Sequence, residues 1–165
     1  MRCLLTLCLT FFMSSLSANE FCTGAQYRAF DFWIGQWQVT THSDNIVRFN
    51  TISKINDGCT LLEEYTSPSG YSGKSLNIYD RQSNQWHQTW TDNTGLRLQL
   101  AGNIKDNIMI MQGVSVNASN QQVINKISWS VNADKTVRQL WQTSTDNGKN
   151  WTVVFDGHYQ KIKTR

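Results

Sequence analysis

Turn-forming clusters recur about every eight to twelve residues from Gln36 to the end of the chain, and this spacing limits the fold more than any other feature. They are His42-Ser43-Asp44-Asn45, Asn56-Asp57-Gly58, Ser67 to Gly73, Asp80 to Asn84, Asp92 to Gly95, Asn103 to Asn107, Ala118 to Gln121, Asn132-Ala133-Asp134 and Asp146-Asn147-Gly148. Nine turns separate ten short segments, too short to alternate with the crossover helices that a parallel sheet needs. The chain therefore reads as all-β, a sandwich or a barrel. A single up-and-down antiparallel barrel of about ten strands is the economical solution, because short hairpins join neighbours and closure leaves no edge exposed. One segment breaks the pattern. Tyr27, Phe30, Trp33 and Ile34 recur at helical spacing, with Thr23 as an N-cap and Gly35 as a stop. This predicts a short helix over Gly24 to Trp33.

The first eighteen residues have a different character. Met1-Arg2 is positive, Cys3 to Met13 is apolar, and Ser14-Ser15-Leu16-Ser17-Ala18 supplies small residues, the layout of a cleaved secretory signal. Its apolar run is shorter than the ~20 residues that span a bilayer. Cleavage is expected after Ala18, with Ser17 as the alternative. That leaves one domain over 19–165 and lowers the formal charge from +3 to +2, since Arg2 departs with the signal. The remaining charges are scattered. They provide no footprint for nucleic acid, and no membrane insertion is expected after signal removal. Cys22 and Cys59 are the two cysteines that survive cleavage, and a periplasmic or secreted location predicts that they are bonded. Two cysteines with His42, His87 and His158 scattered along the chain do not make a metal site.

Hairpin register assigns the inner face. The loop between Tyr79 and Trp86 sets Asn77 opposite Gln88 and Ser75 opposite Trp90. Asp92-Asn93-Thr94-Gly95 reads as a type I turn with a glycine bulge, which pairs Trp90 with Leu98 and Gln88 with Leu100. Trp86, Trp90, Leu96, Leu98 and Leu100 then share the inner face, with Gln88, Asn77 and Tyr79 carried in beside them. His87, Thr89, Thr91 and Arg97 face out. A turn at Asp146-Asn147-Gly148 pairs Trp141 with Val153 and Gln139 with Phe155, all inward, and leaves Arg138 and Asp156 as an outer-face ion pair. Trp33, Trp37 and Trp151 are expected to plug an end or pack under a hairpin, and Trp86, Trp90, Trp129 and Trp141 to lie on central strands.

The adjacent Glu63 and Glu64 must face opposite ways on a strand, so they cannot act as a close carboxylate pair. Parity with Leu61 or Leu62 does not decide which turns inward, and Glu64 is preferred. Ser144 to Trp151 fits the S-x-D-x-G-x-x-W hairpin of sialidase propellers, where the aspartate is structural. One copy cannot build a propeller. No Ser/His/Asp or Cys/His arrangement, phosphate-cradling loop or metal-ligand spacing is present.

Phe30-Asp31-Phe32-Trp33-Ile34-Gly35-Gln36-Trp37, a short helix running into Gly-x-Trp, resembles the opening of lipocalin-type barrels. Further along stand Asn56 to Tyr65, Ser75 to Asp80, Trp86 to Trp90 and Val137 to Trp141. Together the set resembles an uncharacterised family of small secreted bacterial proteins with a lipocalin-like or nitrobindin-like (calycin) β-barrel. The resemblance covers nearly the whole mature chain and brings no established activity. Nitrobindins proper are haem barrels, and His158 lies on the last strand, where such relatives place their ligand. Its parity with Val154 and Asp156 turns it outward, so no cofactor is expected.

The resulting expectation is an exported binding barrel whose cavity, lined by Glu64, Asn77, Tyr79, Trp86, Gln88, Trp90, Gln139 and Trp141, holds a small-molecule ligand. The alternatives are an enzyme using Glu64 or His87 in that cavity, and a structural or interaction barrel with a filled core.

Overall fold

A computed structural model of the chain describes residues 21–163. The expected signal peptide over residues 1–18 lies outside them. Ten antiparallel strands form one closed barrel: β1 (Gly35–Thr41), β2 (Asp44–Ile55), β3 (Thr60–Thr66), β4 (Ser72–Asp80), β5 (Gln85–Asp92), β6 (Arg97–Lys105), β7 (Ile108–Val116), β8 (Gln122–Val131), β9 (Val137–Ser144) and β10 (Thr152–Lys161). Each strand pairs with its neighbours in sequence, and β1 pairs with β10 from Trp37↔Lys161 to Thr41↔Gly157. This is the up-and-down arrangement that the turn spacing predicts.

The registers read from the β4–β5 and β5–β6 hairpins are present. Asn77 faces Gln88, Ser75 faces Trp90, Trp90 faces Leu98 and Gln88 faces Leu100. The Asp92 turn has the expected form, with Gly95 at φ 88° and the Asp92 carboxylate accepting from the Thr94 amide at 2.9 Å. Leu96 is a correction. It sits in that turn ahead of β6 and is exposed, so it does not join the inner face.

The last hairpin also differs from expectation. Val153 faces Gln142 and Phe155 faces Trp141, with a bulge between them, so Val153 is turned outward and Gln139 meets Gly157. One extra residue rephases every side chain beyond it. Trp141, Gln139 and Phe155 still point inward. The Arg138–Asp156 ion pair forms diagonally across the outer face at 2.8 Å, where an exposed pair contributes little to stability. In the loop, Asp146 accepts the Asn150 amide at 2.8 Å, and the Lys126 ammonium caps the Trp151 ring at 3.8 Å.

The helical segment is two 3-10 turns, Ala25–Arg28 and Asp31–Trp33, rather than one continuous helix, and Thr23 does not cap it. It crosses one end of the barrel and delivers an aromatic plug. Phe30 stacks on Trp33 at 4.9 Å and meets Trp86 and Trp129 edge-on at 5.6 and 5.1 Å. The Trp37 indole donates to the Trp33 carbonyl at 2.9 Å, tying β1 to the plug. Trp86 and Trp129 lie on the strands β5 and β8, as expected, at the closed end of the barrel.

Cys22 and Cys59 are bonded, with Cα atoms 5.2 Å apart. The bond joins the segment before the plug to the β2–β3 connection, and Arg28 donates to the carbonyls of Cys22 and Gly58 at 2.5 and 3.2 Å. On a chain-entropy basis a loop of this length gives about 4 kcal/mol. Replacing both cysteines by serine is therefore expected to lower the unfolding free energy by about that amount. Urea unfolding followed by tryptophan fluorescence measures it, and an unchanged midpoint would show that the plug holds without its tether.

Candidate functional site

A ten-stranded barrel is wider than the eight-stranded kind whose interior side chains can fill, so its interior needs an extra element or stays partly hollow. Here both occur. The plug fills one end, and a cavity of about 170 Å³ lies in the other half of the barrel. Its walls are mainly aromatic: Tyr65 on β3, Tyr71 just before β4, Trp90 on β5, Trp141 on β9, and Phe155 and Tyr159 on β10. Leu98 and Ile127 add aliphatic surface, while Glu63, Gln88 and Gln139 supply the polar atoms. The cavity runs into a wider vestibule of about 530 Å³ at the β1–β2 turn, sharing Tyr65, Tyr71, Val154 and Phe155 with it.

Glycines let two of the rings lie flat against the wall. A Cβ on Gly73 would sit 2.2 Å from the Trp90 ring, and one on Gly157 would sit 2.4 Å from the Phe155 ring. No backbone strain is involved at either position; the requirement is space.

Glu63, rather than the expected Glu64, is the interior carboxylate. On β3, Leu61, Glu63 and Tyr65 alternate inward, and Glu63 is 2% exposed. Glu64 lies on the outer wall, bound to Lys74 across the β3–β4 ladder at 2.6 Å. Glu63 accepts from Asn50 Nδ2 at 2.8 Å and from Ser75 Oγ at 2.6 Å. Asn77 donates to Ser75 Oγ at 2.8 Å, and Gln88 donates to Asn77 Oδ1 at 2.9 Å. On the other side the Tyr159 hydroxyl donates to Gln139 Oε1, and Asn50 Nδ2 approaches the same hydroxyl at 3.4 Å. Six strands, β2, β3, β4, β5, β9 and β10, are joined by this one network. Asn50 Oδ1 is a buried acceptor left without a partner.

Burial without a counter-ion raises the Glu63 carboxyl from 4.5 to about 7, against the opposing pull of Ser75 and Asn50. Its aromatic neighbours shift as well. Burial holds the Tyr65 hydroxyl up near 12 and the Tyr159 hydroxyl well above its ordinary value. At the rim, Arg48 is engaged by Asp44 through contacts of 2.9 and 2.6 Å. The Asp92 carboxylate accepts from the Tyr71 hydroxyl at 2.9 Å and the Trp90 indole at 3.3 Å.

Of the residues expected to line the cavity, Gln88, Trp90, Gln139 and Trp141 do so. Asn77 lies behind the wall, where it orients Ser75 and Gln88. Tyr79 and Trp86 are at the plugged end instead. Tyr79 packs on Tyr27 at 5.2 Å, and the Trp86 indole donates to the Gln26 carbonyl at 3.1 Å. Strand parity set their face correctly, but height along the barrel axis decides whether an inward residue meets the plug or the cavity. His87 faces out and contacts Ser83 at 2.9 Å, so neither it nor Glu64 can act on a molecule inside. His158 is exposed on the outer face, as its parity predicts. Glu63 is the alternative to the preferred Glu64, whereas Tyr65, Tyr71 and Tyr159 carry no expectation from the sequence. A signal for Glu63 existed: Ser75 inward opposite Trp90 turns Lys74 outward, and Lys74 is the cross-strand partner of Glu64.

The shift at Glu63 makes stability depend on pH. Between pH 4.5 and about 7 the folded protein keeps a proton that the unfolded chain releases, so stability falls as pH rises through that window and levels off above it. Below 4.5 both states are protonated and this contribution is complete. The loss amounts to about 3 kcal/mol. Urea midpoints at pH 5 and pH 8 should differ accordingly in the wild type and converge in Glu63→Gln; equal midpoints in the wild type would contradict an interior carboxyl of this kind.

No protein-family profile matches the chain, and no curated protein is significantly similar to it. The barrel and its cavity, rather than kinship, carry the functional reading.

Proposed function

We propose that this protein is an exported binding barrel that holds a small molecule in the aromatic and amide-lined cavity opposite its plug. The observation that carries the reading is the division of the interior. The plugged end is packed with rings, yet the other half keeps a cavity whose walls combine aromatic surface with a few convergent polar groups, the usual make-up of a small-molecule site. A barrel meant only to be filled would gain stability by closing that space, since an unfilled cavity weakens a core in proportion to its volume. Its size also suits a ligand: a cavity of about 150 Å³ holds benzene in another protein.

Export is supported by the Cys22–Cys59 bond and by the signal-like first eighteen residues. The closed ten-stranded barrel is consistent with the resemblance to small secreted bacterial proteins of calycin type.

Native mass spectrometry of the protein purified from its own source is expected to show a retained low-mass adduct. Leu98→Phe and Ile127→Phe, which fill the cavity from β6 and β8, should lose that adduct while unfolding at the same or higher denaturant concentration. A wild type free of adduct, whose Trp90 and Trp141 fluorescence responds to no member of a small-molecule panel, would leave the barrel with a structural role.

A further inference from the structure

The charge distribution inside the cavity is one-sided. Glu63 is the only ionisable group in its lining apart from the tyrosines, and no lysine, arginine or histidine among the described residues lines the space. Asn50 and Ser75 each bond one carboxylate oxygen, Asn50 to Oε1 and Ser75 to Oε2. A carboxylate has about four acceptor sites, so each oxygen retains capacity for a donor within the cavity. The aromatic faces around it are negative by their quadrupoles and favour a cation placed over them. Asp92 adds to this from outside the wall. By accepting from the Tyr71 hydroxyl and the Trp90 indole, it increases the electron density of two of those rings. Burial raises the Asp92 carboxyl, but its hydrogen bonds from Thr94, Tyr71 and Trp90 outweigh that and hold it near 2, so the group stays charged.

We propose that the cavity takes a small organic ammonium ion, its N–H groups donating to the Glu63 carboxylate and its hydrocarbon body lying between the rings of Trp90, Trp141 and Phe155. This assignment rests on the small-molecule reading above and names its ligand class. The guest supplies the counter-ion that Glu63 lacks, and the aromatic box excludes the water that would otherwise compete for the charge. Gln139, whose Oε1 is occupied by Tyr159, presents its amide side to any hydroxyl or carbonyl on the guest. Arg48 does not oppose entry, because Asp44 neutralises it at the rim.

Binding is coupled to a proton. Around Glu63 stand Tyr65 on its own strand, Tyr159 on β10 and the Arg48–Asp44 pair on β2. Both tyrosines remain neutral far above pH 8, and β4, β5 and β9 present only uncharged groups to it. Glu63 is therefore the group that titrates in the range where an aliphatic amine stays charged. An amine entering below pH 7 displaces the Glu63 proton to solvent.

Three molecules of one shape test the assignment on the intact protein: 3,3-dimethylbutan-1-amine, 3,3-dimethylbutan-1-ol and 3,3-dimethylbutanoate, followed by tryptophan fluorescence and calorimetry. At pH 8 the amine should bind about tenfold or more tightly than the alcohol, as expected when a charge-assisted hydrogen bond replaces a neutral one, and the carboxylate should bind most weakly. Below pH 7 the amine affinity should fall by up to about tenfold per unit while the alcohol affinity stays level. Calorimetry at pH 6 in buffers of different ionisation enthalpy should register proton release with the amine alone. Glu63→Gln should remove the preference for the amine yet retain alcohol binding, which also certifies that the variant is folded. An alcohol that binds as well as the amine, a preference that survives Glu63→Gln, or a carboxylate that binds best would each overturn the cation assignment and leave the binding barrel standing. Failure of all three, together with a native mass spectrum free of adduct, would remove both.

Discussion

Closure of the ring between β1 and β10 is the constraint on which everything else depends. An open sheet of ten strands would have two exposed edges and one inner face with nothing to cover it; the closed ring provides its own cover. Closure also makes the interior too wide to be spanned by side chains from the walls alone. The two 3-10 turns answer that excess at one end, where Phe30 and Trp33 enter the lumen and meet Trp86 and Trp129. The indoles of Trp33 and Trp129 are buried there, packed against each other and against Phe30. Among the described residues nothing comparable enters from the other end, and the cavity is what remains there.

Glu63 sits at the boundary between these two halves. Its hydrogen-bonding partners lie on β2 and β4, and through Tyr159 and Gln139 the network reaches β10 and β9. A buried carboxylate is unfavourable for a fold and is tolerated when its surroundings hold it firmly. Here they do so from several strands at once. In the proposed binding role, a polar group fixed from many sides and facing a cavity it does not fill meets its guest already ordered.

Much of this was legible in the sequence, for reasons that differ by element. Strand number followed from turn chemistry, which is local. The β4–β5–β6 registers followed from a glycine-bulged turn and a short loop, and they gave the right face even for β4, whose own pattern is inverted. On that strand Ser75 and Asn77 are buried while Leu76 and Ile78 are exposed, so only pairing with the tryptophan strand β5 orients it. The β9–β10 register failed because a bulge at Val154 has no signature in residue type. The choice between Glu63 and Glu64 failed because β3 has apolar residues at both parities, Leu61 and Leu62. The assignment of Tyr79 and Trp86 to the cavity failed for another reason. Pairing fixes a residue's face, whereas its height in the barrel depends on strand tilt, which no single hairpin reveals.

The disulfide and the plug lie at one end of the barrel, while the cavity opens toward the β1–β2, β3–β4 and β5–β6 turns at the other. Cohesion and the proposed recognition are thus separated along the axis. The rim hairpins can change in length and composition without disturbing the rings that keep the strands together. In the proposed binding role, a scaffold so divided can be re-targeted from one guest to another through its mouth, in evolution or by design, with its foundation left alone.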